Sequence, residues 1–408
     1  MRSLYLCYFG LLEPLVQTQV LPYLREISAG GIAVNLLTFE PNRRRAWSAE
    51  EEQEWRDRLA AEGIRWFVLP YHKRPSLPAT LYDILAGAWF AFRLIRTHKI
   101  DVLHARTHVP MAMALLARSL SRCRVIFDIR GMVADEYVDA GIWAKSSPTY
   151  RTMKWLERLG LHKADQLVVL TQKMKALLIE QSAAPAEKIE VIPCCVDLSR
   201  FSDEGDMEKA RRFEVVYAGS VTGVYLLDEM ARFFLALQSR RPDAFFRILT
   251  TAPPELVSAR LEQLGLSRED YGVASVSPTE VSHYLRRAHL GLSFRKQTFS
   301  QIAASPTKIP EYLMAGLPVV TNAGIGDTDD LLENAGVGVV VRAFTPEAYA
   351  EAAEKALALA ADPELKERCV RVAGQRFDLA QVGGAGYLRV YRRIGESLSL
   401  SRAVAETT

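Results

Sequence analysis

The side chains with the most chemistry to offer lie in Ser305–Asp330, SPTKIPEYLMAGLPVVTNAGIGDTDD. Lys308 and Glu311 stand at the start of a predicted helix, and Gly324 and Gly326 occupy the loop beyond it. Unpaired amides at a helix start hold an anion, and a carboxylate accepts hydrogen bonds from sugar hydroxyls. That combination suits a nucleotide diphosphate and its ribose, with the glycines letting backbone amides approach a ligand closely. The plain alternative is that Glu311 only complements the helix dipole and Lys308 is a solvated surface charge.

Three more clusters carry charge or turn chemistry. Gly219-Ser220 follows the predicted strand Glu214–Tyr217, and a glycine turn after a strand brings amides near phosphates. Arg295 and Lys296 end the predicted strand Leu290–Phe294 and could supply positive charge to the same group. Earlier, HARTH ends the strand Asp101–Ala105 and DIRG ends Arg124–Ile129. Parallel α/β sheets bind ligands beyond the carboxyl ends of their strands, so Arg106, His108, Arg130 and Gly131 are expected at one rim. Asp128, Asp135 and Glu136 lie nearby. A lone histidine is most often a packed or surface residue. Here two strands each bring cations to one edge, which makes the rim a candidate site.

The elements that position these residues can be read from pattern. Proline sits comfortably only in a helix's first turn, so Pro310 dates the helix start to about Thr307, with Gly316 as its stop. LPVVT after it is a buried-strand run. The chain opens as strand Ser3–Tyr8, helix Val20–Ala29 and strand Ile32–Thr38, a βαβ unit that implies a parallel sheet. The loop Leu11–Thr18 is a candidate acceptor or donor-edge loop. Ala49–Gly63 reads as a charged, solvated helix before strand Trp66–Leu69. Leu81–His98 mixes Leu81, Leu85, Trp89 and Phe92 with a basic end and reads as a core helix; a membrane-surface helix is the alternative. Ala244–Thr250 and Val337–Val341 are further strands, and Glu280–Ala288, Pro346–Ala361 and Asp378–Ser399 are helices.

Totals bound the class. A chain of 408 residues suits two domains rather than one core. Its 49% hydrophobic and 24% charged content is that of a soluble globular protein, and a net charge of +3 gives no argument for nucleic acid. Five cysteines with no metal-ligand spacing fit a reducing cytoplasm, and Cys194-Cys195 reads as buried filler. MRSLYLCYFGLL reads as a first strand rather than a signal peptide, because Glu13 interrupts it and no cleavage site follows.

Ser305–Asp330 resembles the donor-binding segment of the family-4 retaining glycosyltransferases. Their signature has two glutamates eight positions apart, a helix, a G-x-P-V-V/I strand and a glycine loop. Glu311 and Ala315-Gly316-Leu317-Pro318-Val319-Val320 match its second half, whereas Ala303 stands where the first glutamate would be. Lys163–Thr171 (KADQLVVLT) and Glu190–Phe201 (EVIPCCVDLSRF) resemble the strand closing the first domain and the interdomain segment, with Cys194-Cys195 in place of Asn-Gly. Relatives carry His-Gly where this chain has Arg130-Gly131, and an Arg/Lys clamp where Val221–Tyr225 has neither.

The resemblance implies an α/β protein of the GT-B fold, two Rossmann-like domains facing each other across a cleft. It places an acceptor-side domain at 1–200, a nucleotide-sugar domain at 201–377, and a terminal helix over 378–408 crossing back to the first. It implies a retaining hexosyltransferase using a UDP- or GDP-linked sugar without a required metal or other cofactor. Glu311 then takes the ribose, and Gly219, Ser220, Arg295 and Lys308, with Gly324 and Gly326, hold the donor. Arg130, His108 and Glu136 are the catalytic candidates, with Arg106 and Gly131 beside a saccharide or lipid-linked acceptor. Envelope polysaccharide synthesis in the cytoplasm, with peripheral contact at the inner membrane face, is the expected setting. Rival readings are an epimerase or hydrolase of the same fold, or a non-catalytic binding subunit. A dinucleotide oxidoreductase fits worse, because no G-x-G-x-x-G follows the first strand.

Overall fold

Runs of apolar residues without alternation mark strands covered on both faces, as parallel sheets require. Leu4–Cys7 and Val125–Phe127 are such runs, and all are buried. The computed structural model describes residues 1–41, 47–72, 74–181, 183–197 and 207–406. It divides into two compact units, Met1–Pro193 with Leu379–Thr408, and Cys194–Asp378. The divisions fall at 193/194 and 378/379, against 200/201 and 377/378 in the sequence reading. Positions 198–201 of the interdomain segment read from the sequence lie outside the described residues.

The first unit holds seven strands: β1 (Arg2–Cys7), β2 (Ala33–Pro41), β3 (Ile64–Tyr71), β4 (Val102–Arg106), β5 (Arg124–Asp128), β6 (Gln166–Val169) and β7 (Ile189–Val191). Their order is β3-β2-β1-β4-β5-β6-β7, and every printed pairing is parallel. The second unit holds β8 (Phe213–Ala218), β9 (Ala244–Leu249), β10 (Tyr271–Ala274), β11 (Leu290–Ser293), β12 (Val319–Asn322) and β13 (Gly338–Val341). Their order is β10-β9-β8-β11-β12-β13, again parallel.

In both sheets the strand order reverses once, between β1 and β4 and between β8 and β11. Helices leaving the two strands at such a point go to opposite faces, which opens a crevice at the carboxyl end. Gly219 and Arg295 follow the two strands flanking the reversal in the second unit. Arg106 ends β4 at the reversal in the first.

The expected loop Leu11–Thr18 gives way to a short helix, Pro14–Gln19, because Pro14 sits at the helix start where its missing N–H costs nothing. Two further features depart from the sequence reading. β10 was not expected: YGVA is short and, apart from Tyr271, only half-buried, as an edge strand can be. The helix Ser76–His98 buries Ala79, Asp83, Gly87, Ala88 and Ala91, whereas Leu81, Leu85 and Trp89, expected in the core, point outward. Its small residues allow close packing: a Cβ on Gly87 would lie 2.6 Å from Met113 Sδ and 2.9 Å from Phe39 Cζ. All five cysteines are buried thiols.

Candidate active site

In the second unit the predicted donor residues assemble around Lys308. The helix Lys308–Met314 starts where Pro310 required, after Thr307. Its first residue is 5% exposed, and its Nζ lies 4.0 Å from the centre of the Tyr225 ring and 4.8 Å from that of Tyr217. Burial pushes the Lys308 ammonium down to about 7; Arg295 adds to the fall and Glu311 opposes it. A cation held against two ring faces, with a second cation near, lacks a full counter-charge. Such a cation can take an anion.

Gly219 brings the turn after β8 up to this lysine. Its φ of +139° is in the region that side chains avoid, and a Cβ there would sit 3.1 Å from Lys308 Nζ. Gly219 N donates to Leu249 O at 2.8 Å, which fixes the turn, while Ser220 and Thr222 share a side-chain hydrogen bond of 3.2 Å at the exposed tip. Gly219→Ala is expected to weaken nucleotide binding about tenfold and to lower stability by roughly 1–2 kcal/mol. Titration calorimetry and urea unfolding of the same variant check both.

Arg295 is set from three sides. Its amide donates to Asn322 Oδ1 at 2.7 Å, Nε donates to Gln301 Oε1 at 2.7 Å, and one guanidinium nitrogen lies 3.3 Å from Tyr225 OH. Gln301 also accepts from Gly326 N through its carbonyl at 2.8 Å, so it ties the glycine loop to the arginine. Gly324, at φ +83°, donates to Asp329 Oδ2 at 2.9 Å. Asp329 thus staples the glycine loop. Glu311 is half-buried one turn beyond Lys308. Ala303, whose side chain is a methyl group, is fully buried.

Sequence reasoning missed Tyr217, Tyr225 and Gln301. The two tyrosines are eight positions apart and meet, rings 6.3 Å between centres, only because the turn folds back. Nothing in FSQIAA distinguishes Gln301 from a surface glutamine.

The first unit collects a different cluster at its reversal point. Asp128, at the end of β5, is buried and accepts a 2.8 Å hydrogen bond from Tyr387 on the terminal helix. Arg106 and Arg130 each bring a nitrogen to 3.8 Å from its carboxylate, and His104 Nε2 lies at 3.7 Å. Burial alone would raise the Asp128 carboxyl; Arg130, His104 and Arg106 outweigh it and hold it at about 2. Tyr391 reaches His104 Nδ1 at 2.9 Å and Ser3 Oγ at 2.7 Å, a second tie from the same helix.

Two residues expected at an open rim are not there. Arg106 is 2% exposed, because Asp128 and Tyr5 OH, 3.4 Å away, draw its guanidinium inward. His108 is buried on a separate helix, with Nε2 at 3.1 Å from Glu157 and its ring edge-on to Phe127. Between them Thr107 has φ +71°, strained for a β-branched residue, which turns the two side chains apart. Arg130, Gly131 and Glu136 do group together. A Cβ on Gly131 would overlap the Glu136 carboxylate, and Arg130 reaches Gln19 Oε1 at 3.3 Å.

Residues 16–195 match the family model of the glycosyl transferase 4-like domain. Among solved structures the chain is similar to sucrose-phosphate synthase from Thermosynechococcus elongatus, at TM-score 0.72 and 14% identity over 97% of this chain and 99% of that one. WaaG, described as a glycosyltransferase involved in lipopolysaccharide biosynthesis, aligns at TM-score 0.67 and 18% identity over 95% and 99%. Anabaena HepE in complex with UDP-glucose aligns at 0.63 and 17% over 98% and 99%. Among curated proteins no match is found. These likenesses give the chain the GT-B fold, with a stretch similar to the glycosyl transferase 4-like domain in its first half.

Proposed function

We propose that this protein is a glycosyltransferase that takes a hexosyl group from a UDP- or GDP-linked donor and transfers it with retention to a saccharide or lipid-linked acceptor in envelope polysaccharide synthesis. The observation that carries the donor assignment is the buried Lys308 ammonium, caged by Tyr217 and Tyr225 beside Gly219 and Arg295. Lys308 and Arg295 take the diphosphate, the turn at Gly219 and Ser220 offers close backbone approach, and Glu311 accepts from the ribose hydroxyls. HepE, described with UDP-glucose bound, supports a uridine nucleotide.

In the reaction the bond from C1 to the diphosphate breaks and one from C1 to the acceptor oxygen forms on the same face. The acceptor proton passes to the departing phosphate oxygen. Charge building on that phosphate is stabilised by fixed cations already in place, and the reading requires no metal ion. Arg130, Gly131 and Glu136 are assigned to the acceptor side. Arg106 and His108 hold structure instead, through Asp128 and Glu157.

A calorimetric screen of UDP, GDP and ADP tests the donor site. Glu311→Ala is expected to weaken the preferred nucleotide about tenfold to a hundredfold, the loss of charge-assisted hydrogen bonds. Unchanged affinity and transfer in that variant would refute the assignment. Incubation with donor alone separates transfer from epimerase or hydrolase activity, since either would release nucleotide or epimer without acceptor.

A further inference from the structure

The helix Ser76–His98 shows several large apolar side chains to the outside. Leu77, Leu81, Leu85 and Trp89 are 66%, 58%, 55% and 61% exposed, and their spacing of four residues makes one stripe about three turns long. Tyr82 stands beside it, 59% exposed. A stripe of this size on one helix exceeds the scattered apolar residues of an ordinary surface. It is not a packing failure, because the opposite face is fitted closely through Gly87, Ala88 and Ala91.

Charge decides what the stripe meets. Among the described residues, the exposed charges flanking it along the chain are Arg74 before the helix and Arg93, Arg96 and Lys99 at its far end. The helix's one acid, Asp83, is 1% exposed and accepts from Tyr8 OH at 2.7 Å and His72 N at 3.0 Å. The outward face is therefore apolar and cationic, with an indole and a phenol at its edge. That is the composition of a helix lying in a lipid interface. Among the described residues no helix is long and apolar enough to cross a membrane, so contact through this helix is with a surface.

We propose that this face docks on an anionic lipid bilayer. The leucines and Trp89 enter the acyl boundary, and Arg93 and Arg96 meet headgroup phosphates. Surface docking of this kind is independent of donor binding, so either can fail without the other.

The full chain is sedimented with vesicles of phosphatidylcholine alone and of phosphatidylcholine with phosphatidylglycerol. Tight binding to the anionic vesicles, weakened by salt, is expected. Arg93→Gln with Arg96→Gln should reduce that binding roughly 30-fold. Leu81→Asp with Leu85→Asp should reduce it more than about 100-fold while leaving UDP affinity and circular dichroism unchanged. The proposal is overturned by equal binding to both vesicles, by no binding, or by folded variants that bind like the parent. It is overturned too if the parent is a dimer that the aspartate variant dissociates, since the occupant is then a second copy.

Discussion

Lys308→Met is expected to weaken nucleoside diphosphate binding more than about 100-fold, a loss typical of removing one partner of a desolvated charge pair. The same change should stabilise the unliganded protein. Lys308 titrates at about 7 in the fold against its ordinary value of 10.5. Between those values the unfolded chain binds more protons than the folded one, so stability rises with pH across that window. Below 7 both forms are charged and the whole penalty of the buried ammonium is present, roughly 3–5 kcal/mol. The methionine variant removes it, and its melting temperature at pH 6 should exceed the parent's.

Binding has the opposite sign. An anion favours the charged lysine, so above about pH 7 the complex must take up a proton, and Kd should rise about tenfold per pH unit. Below pH 6 the profile should be flat. Calorimetry at pH 8 in buffers of different ionisation enthalpy reads the proton directly. Zero uptake, or a methionine variant with parental affinity, would end the assignment of Lys308 to the diphosphate.

Asp128→Ala should be among the most destabilising substitutions in the first unit, at about 3–5 kcal/mol, because it leaves buried Arg106 without its carboxylate. It also cuts the Tyr387 hydrogen bond that ties the terminal helix to β5. Tyr387→Phe isolates that second loss and should cost about 1–3 kcal/mol. The carboxyl is held at about 2 in the fold, below its ordinary 3.8. Its contribution is thus complete above 3.8 and disappears as pH falls through 2. Urea midpoints of parent and variant at pH 7 measure the effect; coincident midpoints would mean the cluster is not what holds this helix.

What could be read from the chain alone was whatever short-range physics controls. Pro310 and Gly316 bracket the helix carrying Lys308 and Glu311, since a missing N–H and a missing Cβ act locally. Apolar runs such as Leu4–Cys7 gave parallel strands, and strand–glycine junctions such as Ala218-Gly219 marked where a ligand turn belongs.

The remainder depended on contacts between residues far apart in sequence. The Tyr217–Tyr225 cage, and its effect on the Lys308 proton, exist only when the turn after β8 folds over the start of a helix some 90 residues later. Arg106 and His108 looked alike as cations at a strand end. The fold gave one to Asp128 and the other to Glu157, and neither stays at an open rim. Leu81, Leu85 and Trp89 fit a core by composition, yet Gly87 and Ala88 take the inner face, where close approach to Met113 on the neighbouring helix leaves no room for a larger side chain. Local preference sets which elements form; the distant partner sets which way each side chain points and what charge it bears.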